Sequence, residues 1–461
     1  MVNVMKTTII KNLSILISFG LMVKILGLFN KIILSRTLEI EGLTLYTKLI
    51  PIAGLFMTLA SFSLGPVITQ IVSKNISKRP YSNHNLIKKG FITATTTSSI
   101  VSIIHLALNF VICHYLLRMD ILIKPFIFFI PLYYLQSYTS IFKGYFHGHN
   151  KMETYALGQL IEQIFRILLL YIYVKPQLEK SVIDGVIAAI LTLSISELIQ
   201  NIYLFIRVLM FTKIKKTTNI ETEYKEIIKP SLNLTLNKLF GSVTAFLEPI
   251  IFTYAFLKTG LSTVIADELY AVIYGYSIPI ILTTNFISIA IETAILPTLT
   301  KLHIENNKKE LNNIVKKALL LSFIPAVIIS FIYFNFSYEI MEFFYKTTKG
   351  AYYIKLMAIP SFFAYFEGVF ISLLIATKNE KTLVKNTIFT NILHLLLIYI
   401  FVSIPKINAL GIIYSFSIVM ILSPIVLYCF SIKNTPFSLK KRNLVLFLVI
   451  YALFMSLTFL L

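Results

Sequence analysis

Lys24 stands near the middle of an apolar run that extends from about residue 12 to residue 34. An ammonium group at the centre of a bilayer-spanning helix costs roughly 2.5–3.5 kcal/mol on insertion scales, so it usually marks a polar pathway. One helical face carries small and basic residues at i, i+4, i+7 and i+11: Gly20, Lys24, Gly27 and Lys31. This stripe suits a water-filled cleft that binds phosphate. The alternative is that the lysines extend to lipid headgroups, which fits Lys31, near the helix end, better than Lys24. Lys48, near the outer end of the next apolar run, would extend the same charge.

Glu162 and Arg166 are one helical turn apart in another apolar run. Such a pair can mask both charges within the bilayer, or Arg166 can contact an anionic substrate. Glu197 is an alternative partner for Arg166, and Gln159 extends the polar surface. The sequence therefore predicts a second polar region, in which the carboxylates have a coupling or a structural role.

Glu248 lies in a later apolar run, on the same helical face as Asn237, and Pro249 follows it directly. Proline frees a backbone carbonyl one turn earlier, so the carboxylate can bind a cation or a proton there, or be protonated and structural. Lys238 lies about 100° away from that face. Further intramembrane polar residues are candidates for coupling, with helix–helix hydrogen bonding as the alternative: Glu292, Glu367 and His394.

The elements that position these residues are membrane-spanning helices. The chain has 461 residues, of which 57% are hydrophobic and 14% charged, and its mean hydropathy is +0.80. This composition indicates an all-α polytopic membrane protein. We predict about thirteen spans, at residues 12–34, 43–73, 90–117, 124–146, 155–174, 182–211, 229–257, 270–297, 313–335, 350–377, 383–404, 408–431 and 443–461.

The net charge of +21 comes from lysines and arginines concentrated in the N-terminus and in alternate loops. This asymmetry predicts a cytoplasmic N-terminus in a multi-pass protein of the bacterial cytoplasmic membrane, with anionic lipids rather than nucleic acid as neighbours. Cys113 and Cys429 form no disulfide or metal pattern, and His147 and His149 lack carboxylate or thiolate company. No nucleotide-binding or hydrolase motif is present. We therefore expect no cofactor, no metal and no enzymatic activity.

Two halves of the chain share short signatures in the same order. Lys24-Ile-Leu-Gly27 has a counterpart in Lys238-Leu-Phe-Gly241, and Leu49-Ile-Pro-Ile52 in Ser277-Ile-Pro-Ile280. Six spans per half keep the repeats parallel, an arrangement that places a transport site between the halves. The predicted domains are an N-lobe at 1–211, a cytoplasmic linker at 212–228, a C-lobe at 229–431 and an extra C-terminal helix at 432–461.

Several segments together resemble a known family. They are Lys24-Ile-Leu-Gly-Leu-Phe-Asn-Lys31, Phe142-Lys-Gly-Tyr-Phe-His-Gly148, Gln159-Leu-Ile-Glu-Gln-Ile-Phe-Arg166, Leu239-Phe-Gly-Ser242 with Phe246-Leu-Glu-Pro249, and Tyr274-Gly275 leading to Ala294-Ile-Leu-Pro297. In this order they resemble the stage V sporulation protein B family. That family belongs to the multidrug/oligosaccharidyl-lipid/polysaccharide (MOP) exporter superfamily, alongside the lipid II flippases.

The resemblance implies two six-helix lobes that open alternately to each membrane face and move a lipid-linked sugar diphosphate on an undecaprenyl carrier. Lys24 matches a basic position thought to engage the diphosphate. The second basic position falls on Asn30, with Lys31 beside it. The acidic residue expected early in the second helix is absent, since Thr44 and Leu45 fall there. Fourteen spans are usual in close relatives, one more than we predict.

The interpretation is a monomeric flippase with Lys24, Asn30, Lys31, Lys48, Gln159, Arg166, Asn237 and Lys238 as substrate-binding residues, and Na⁺ or H⁺ as a possible coupling ion. A drug/cation antiporter of the same fold is the nearest alternative, because Glu248, Glu292 and Glu367 would suit it. A membrane glycosyltransferase or polymerase needs a catalytic acid near a water-exposed face, and the short outward loops offer no persuasive acidic pair. A non-transporting scaffold for wall synthesis stays open.

Overall fold

The chain is described here from a computed structural model, which covers residues 2–76, 81–82, 84–212, 218–219, 223–438, 449 and 451. Almost all of these residues are helical, which confirms the prediction of an all-α membrane protein. The chain divides into two compact units, Met1–Ile250 and Ile251–Leu461, called unit 1 and unit 2 below. Unit 1 runs past the predicted linker at 212–228, which lies partly outside the described residues, and the predicted lobe boundary stays a prediction.

Unit 1 is built from eight helices and most of a ninth. They are α1 (Val2–Ser61), α2 (Leu64–Ile76), α3 (His84–Phe110), α4 (Ile123–Ile127), α5 (Ile130–Gly148), α6 (Met152–Leu169), α7 (Lys175–Leu178), α8 (Val182–Thr212) and α9 (Tyr224–Leu257). Wider π-helical turns extend α3 at Val111–Leu116 and α6 at Leu170–Val174, and a short 3₁₀ turn, Asp120–Leu122, precedes α4. Two strands of two residues each, β1 (Tyr81–Ser82) and β2 (Thr218–Asn219), pair in parallel.

Helix α1 contains a break at Glu39. A straight helix of its 60 residues would extend about 90 Å, three times the hydrocarbon thickness of a bilayer. Glu39 has φ 53° and ψ −169°, a conformation outside the helical region, so the chain changes direction there. The break separates the helical segment that carries Lys24 from the segment that carries Lys48. The two therefore correspond to the first two predicted spans.

Helices α2 and α5 pack closely because small residues line their contact. A Cβ atom added to Gly144 would lie 2.5 Å from the carbonyl oxygen of Gly65, and one added to Gly148 would lie 2.5 Å from the side chain of Val72. The backbone N–H of Gly65 donates a hydrogen bond to Ser140 Oγ at 2.9 Å. Glycine and serine at such a contact let two helix backbones approach, as is common in membranes.

Unit 2 follows with helices of more varied length. They are α10 (Thr263–Ala271), α11 (Ile278–Thr284), α12 (Phe286–Ile304), α13 (Lys308–Asn335), α14 (Ser337–Tyr345), α15 (Ala351–Leu356), α16 (Ala358–Ala364), α17 (Glu367–Ala376), α18 (Glu380–Val402) and α19 (Leu410–Asn434). A π-helical turn, Val272–Ser277, joins α10 to α11. Gly368 of α17 packs against Ser288 of α12, where an added Cβ would lie 2.7 Å from the serine carbonyl oxygen. Both units thus use a glycine to bring two helices together.

Ten helical stretches of the described residues are long and apolar enough to cross a membrane, or eleven if the bent pair Asp120–Ile127 and Ile130–Gly148 is one span. The first of them, Phe19–Lys74, has 56 residues and includes the break at Glu39, so its length suffices for two spans. The thirteenth predicted span, 443–461, lies outside the described residues except for positions 449 and 451. The total of thirteen stays a prediction.

Candidate functional site

The basic stripe of α1 is exposed. Lys24 and Lys31 both have exposed side chains, and a Cβ atom at Gly20 would meet no other atom within 4 Å. A Cβ atom at Gly27 would lie 3.8 Å from Gln163 Oε1 of α6. The stripe therefore runs beside a polar side chain of the unit 1 interior, and both of its lysine side chains keep exposed surface.

Asn30 connects α1 to α6. Its side chain is only 5% exposed, and its Nδ2 donates to Gln163 Oε1 at 2.5 Å and to the Gln163 carbonyl oxygen at 3.4 Å. The other amide atom, Asn30 Oδ1, is buried and accepts no hydrogen bond from the described residues. A buried acceptor of this kind needs a water molecule, an ion or a ligand group to satisfy it. The residue thus fixes the α1–α6 contact and leaves one oxygen available for binding.

Glu162 and Arg166 form an ion pair on α6, as the alternative of mutual charge masking predicts. Arg166 Nε also donates to Ser196 Oγ of α8 at 3.3 Å, and Gln163 Nε2 donates to Glu162 Oε2 at 3.5 Å. Arg166 keeps about a fifth of its side chain exposed, whereas Glu162 is buried. Substrate contact by Arg166 stays a prediction.

Glu197 takes its hydrogen bond from a threonine. Thr139 Oγ1 of α5 donates to Glu197 Oε1 at 2.5 Å, and both side chains are buried. Asn201 Nδ2 donates to Thr139 Oγ1 at 2.9 Å and to the Glu197 carbonyl oxygen at 2.8 Å. Glu197 also interacts electrostatically with Glu162 and Arg166. Arg166 therefore pairs directly with Glu162 and acts on Glu197 only through a longer-range electrostatic interaction.

These side chains form one buried region, called the polar layer below. It draws on four helices, α1, α5, α6 and α8, and its members are Asn30, Thr139, Glu162, Gln163, Arg166, Glu197 and Asn201. Each of these helices contributes a few polar residues from a face that is otherwise apolar, and helix packing brings those residues together. The structure thereby brings together four of the predicted site residues: Asn30, Glu162, Arg166 and Glu197.

Three other predicted residues of unit 1 have different surroundings. Lys48 is fully buried, so the structure keeps its ammonium inside the unit and away from the exposed face that carries Lys24 and Lys31. Gln159 is partly buried on α6, one turn before Gln163. Glu248 is 7% exposed on α9.

Asn237 and Lys238 are exposed on α9, and Lys238 interacts with a second lysine that the sequence pattern does not indicate. Lys143 of α5 interacts electrostatically with Lys238, and its Nζ lies 5.5 Å from the ring centre of Tyr155. Lys143 stands close to the end of a predicted span, where a lysine is ordinarily interpreted as reaching for the headgroups. Its electrostatic interaction with Lys238 of α9 is a tertiary feature that spacing within one helix does not reveal.

Unit 2 holds a pair of acidic side chains on neighbouring helices. Glu292 of α12 interacts electrostatically with Glu367 of α17. Ser423 Oγ of α19 donates to Glu367 Oε1 at 2.5 Å, and Asn386 Nδ2 of α18 donates to Ser423 Oγ at 2.9 Å. Asn386 Oδ1 is buried without a hydrogen-bond partner among the described residues. Four helices therefore meet at these polar groups.

His394 has a structural explanation. Its Nδ1 lies 2.7 Å from Ser415 Oγ of α19, and its ring centre lies 4.5 Å from that of Phe416. This geometry supports the alternative of helix–helix hydrogen bonding for His394. Within the described ranges, His, Cys, Asp and Glu residues do not gather in groups of three that could hold a metal ion.

Two protein families match the sequence. The polysaccharide biosynthesis protein family matches residues 9–303, more than half of the chain, and the MatE family matches residues 266–400. Among curated proteins, stage V sporulation protein B of Bacillus subtilis (strain 168) is 24% identical over 453 residues, covering 95% of this chain and 86% of that protein. Sporulation protein YkvU of the same strain is 23% identical over 402 residues, covering 85% and 87%.

Solved structures with the same fold are transporters. The inward-facing structure of a multidrug resistance MATE family transporter of the MOP superfamily has a TM-score of 0.66 at 14% identity, covering 88% of this chain and 93% of that one. A MOP superfamily transporter from Pyrococcus furiosus, described as having a binding pocket of reverse polarity, has a TM-score of 0.57 at 15% identity, covering 91% and 94%. These matches confirm the predicted resemblance, and the chain belongs to the polysaccharide biosynthesis protein family.

Proposed function

We propose that the chain is an alternating-access flippase for a lipid-linked oligosaccharide diphosphate, a peptidoglycan or polysaccharide precursor on an undecaprenyl carrier. The proposal includes the bacterial cytoplasmic membrane as its location, a cytoplasmic N-terminus and a monomeric state. The observation that carries it is the exposed side chain of Lys24 in an apolar helix, on the same helical face as Gly27, which adjoins Gln163 of the polar layer. The similarity to stage V sporulation protein B supports the same conclusion.

The physical task of such a flippase is to lower the cost of moving a charged headgroup through hydrocarbon. Desolvating an uncompensated diphosphate costs many kcal/mol, because charged groups lose strong hydration. Lys24 and Lys31 supply compact cations that can replace part of that hydration, and Gly20 and Gly27 leave space beside them. The isoprenoid tail would stay in the lipid while the headgroup crosses along this face.

Energy for the cycle would come from an ion gradient, with the polar layer as one coupling site. Arg166 pairs with Glu162 and interacts electrostatically with Glu197, so two fully ionised carboxylates would leave one buried negative charge in excess. A proton or a sodium ion removes that excess, because buried charges are stable only when they are balanced. The unpartnered Oδ1 atoms of Asn30 and Asn201 are neutral oxygen ligands of the kind that sodium uses.

The test measures translocation of a fluorescent undecaprenyl-diphosphate sugar in liposomes that contain the purified protein. It compares the wild type with variants at Lys24. We expect Lys24→Ala to slow translocation about tenfold or more, the equivalent of one lost charge-assisted contact. Lys24→Arg restores most of the rate because it keeps the charge. Lys175→Ala, which removes an exposed lysine of α7, is the matched control and leaves the rate unchanged.

Wild-type translocation by Lys24→Ala, at equal protein density and melting temperature, would contradict the assignment of this residue. Absence of translocation by the wild-type protein, when a verified flippase is active in the same liposomes, would contradict the proposed function itself.

A cation antiporter is the second candidate, and the acidic pair of unit 2 favours it. Glu292 and Glu367 could bind an organic cation by charge complementarity, as the Asn386 and Ser423 groups beside Glu367 are polar and neutral. The same liposomes can be loaded with a cationic dye. Gradient-driven dye export that depends on Glu367, without movement of the lipid-linked sugar, would establish the antiporter instead.

A further inference from the structure

A pocket of about 320 Å³ opens at one end of unit 1, apart from the polar layer. The C-terminal end of α5, the N-terminal end of α6 and the C-terminal end of α8 form it. Its lining residues are Phe146, Lys151, Glu153, Thr154, Leu157, Arg207 and Met210. The volume lies at the lower end of the range of small-molecule sites in proteins.

The charged groups of this pocket favour an anion. Lys151 and Arg207 are exposed, and neither makes an ion pair with another described residue. Glu153 contributes one opposing carboxylate, which leaves one positive charge in excess. The pocket also adjoins the N-terminus of α6, an 18-residue helix whose first turn no side chain caps. Uncapped N–H groups and the helix dipole both attract negative charge.

The remaining lining is apolar. Leu157 is 40% exposed and Met210 is 53% exposed, while Phe146 is buried beneath them in a cluster with Tyr155 and Leu204. A free inorganic anion would make no use of these apolar side chains. A ligand that joins a phosphate to acyl chains would contact both kinds of surface.

The position of the pocket along the helices predicts that it lies at the cytoplasmic leaflet. The positive-inside asymmetry of the sequence predicts that α5 ends, α6 begins and α8 ends on the cytoplasmic side, where anionic lipids concentrate. Basic pockets between membrane helices on that side commonly hold phosphate headgroups of lipids.

We propose that the pocket between the ends of α5, α6 and α8 binds an anionic phospholipid of the cytoplasmic leaflet, with Lys151 and Arg207 holding its phosphate and Leu157 and Met210 contacting its first acyl carbons. This lipid is a resident ligand and not the transported substrate. The site is independent of Lys24, so it holds whether the protein moves a lipid-linked sugar or a cation.

The test measures the melting temperature of the full-length protein in dodecyl maltoside, with phosphatidylglycerol, phosphatidylcholine or inorganic phosphate added. We expect phosphatidylglycerol to raise the melting temperature of the wild type, because a ligand that binds only the folded state stabilises it. The double variant Lys151→Ala/Arg207→Ala loses about half of that rise or more. Lys308→Ala/Lys309→Ala, which removes two exposed lysines of unit 2, keeps the full rise. Glu153→Gln increases the rise, because it removes the opposing charge.

Three results would overturn the proposal. The first is an equal rise in the wild type and the Lys151→Ala/Arg207→Ala variant. The second is an equal rise with phosphatidylcholine, which would show that the negative headgroup is not recognised. The third is an equal rise with inorganic phosphate at the same phosphate concentration, which would show that the acyl chains contribute nothing. The Glu153→Gln variant distinguishes loss of lipid binding from misfolding. It is expected to increase the phosphatidylglycerol-dependent rise in melting temperature, whereas a misfolded variant would lose it.

Discussion

The two units hold their intramembrane charges in different ways. In unit 1, Glu162 is neutralised by Arg166 on the same helix, and hydrogen bonds from Thr139 and Gln163 surround the carboxylates. In unit 2, Glu292 and Glu367 interact electrostatically with each other, and the side chain that donates a hydrogen bond to Glu367, Ser423, is neutral. A paired acid is costly to disturb, whereas an acid without a cation is free to gain a proton or an ion. The two units therefore differ in which of their acids contribute to stability.

The largest effect that tests this contrast comes from removing the cation of unit 1. Arg166→Ala leaves Glu162 buried without its partner, a change that costs about 3–5 kcal/mol in the free energy of unfolding. Thermal unfolding in detergent measures it. The double variant Glu162→Gln/Arg166→Gln removes both charges and is expected to lose clearly less. An Arg166→Ala protein as stable as the wild type would show that the ion pair is not structural.

A middle-sized effect tests what the units have in common. Gly144→Ala and Gly368→Ala each place a methyl group 2.5–2.7 Å from a backbone oxygen of the neighbouring helix, so we expect a loss of about 1–3 kcal/mol in both. Gly241→Ala is the matched control, because an added Cβ there meets nothing within 4 Å. It should leave stability unchanged or raise it by up to about 1 kcal/mol through helix propensity. A melting temperature of Gly144→Ala or Gly368→Ala as high as that of Gly241→Ala would show that the glycine at that position is not needed for the helix contact.

The smallest effect concerns the acidic pair of unit 2. Glu367→Gln keeps the hydrogen bond from Ser423 but removes the negative charge beside Glu292, so the free energy of unfolding should stay the same or rise by about 1 kcal/mol at most. Denaturation at neutral pH compares it with the wild type. A loss of several kcal/mol, as expected for Arg166→Ala, would show that the acids of the two units have the same structural role.

The sequence predicts well the features that depend on local spacing. The apolar runs locate the helices, because each must satisfy its own backbone hydrogen bonds in lipid. The spacing of Glu162 and Arg166 predicts their contact, since residues four apart are neighbours on a helix. What it does not predict are the contacts between helices. Asn30 meets Gln163 only because α1 and α6 pack together, and Lys48 is fully buried although its position suggested an accessible charge.

Lys143 is a residue that the sequence does not predict although it has a tertiary interaction. A lysine near the end of a span has an ordinary explanation in the headgroup region, so nothing in the sequence selects it. Its electrostatic interaction with Lys238 depends on where α5 and α9 lie within unit 1. The sequence also does not predict the π-helical turns at 111–116, 170–174 and 272–277, because a wider helical turn has no distinct residue pattern within an apolar run.

Glu39 has a consequence for how the first two spans can move. A single non-helical residue joins them, so any change in their mutual angle must come from the dihedral angles around that position. Its positive φ is unusual for a residue with a side chain and costs about 1–3 kcal/mol. Glu39→Gly is therefore expected to relieve that strain and to widen the range of angles that the Lys24 and Lys48 segments can adopt.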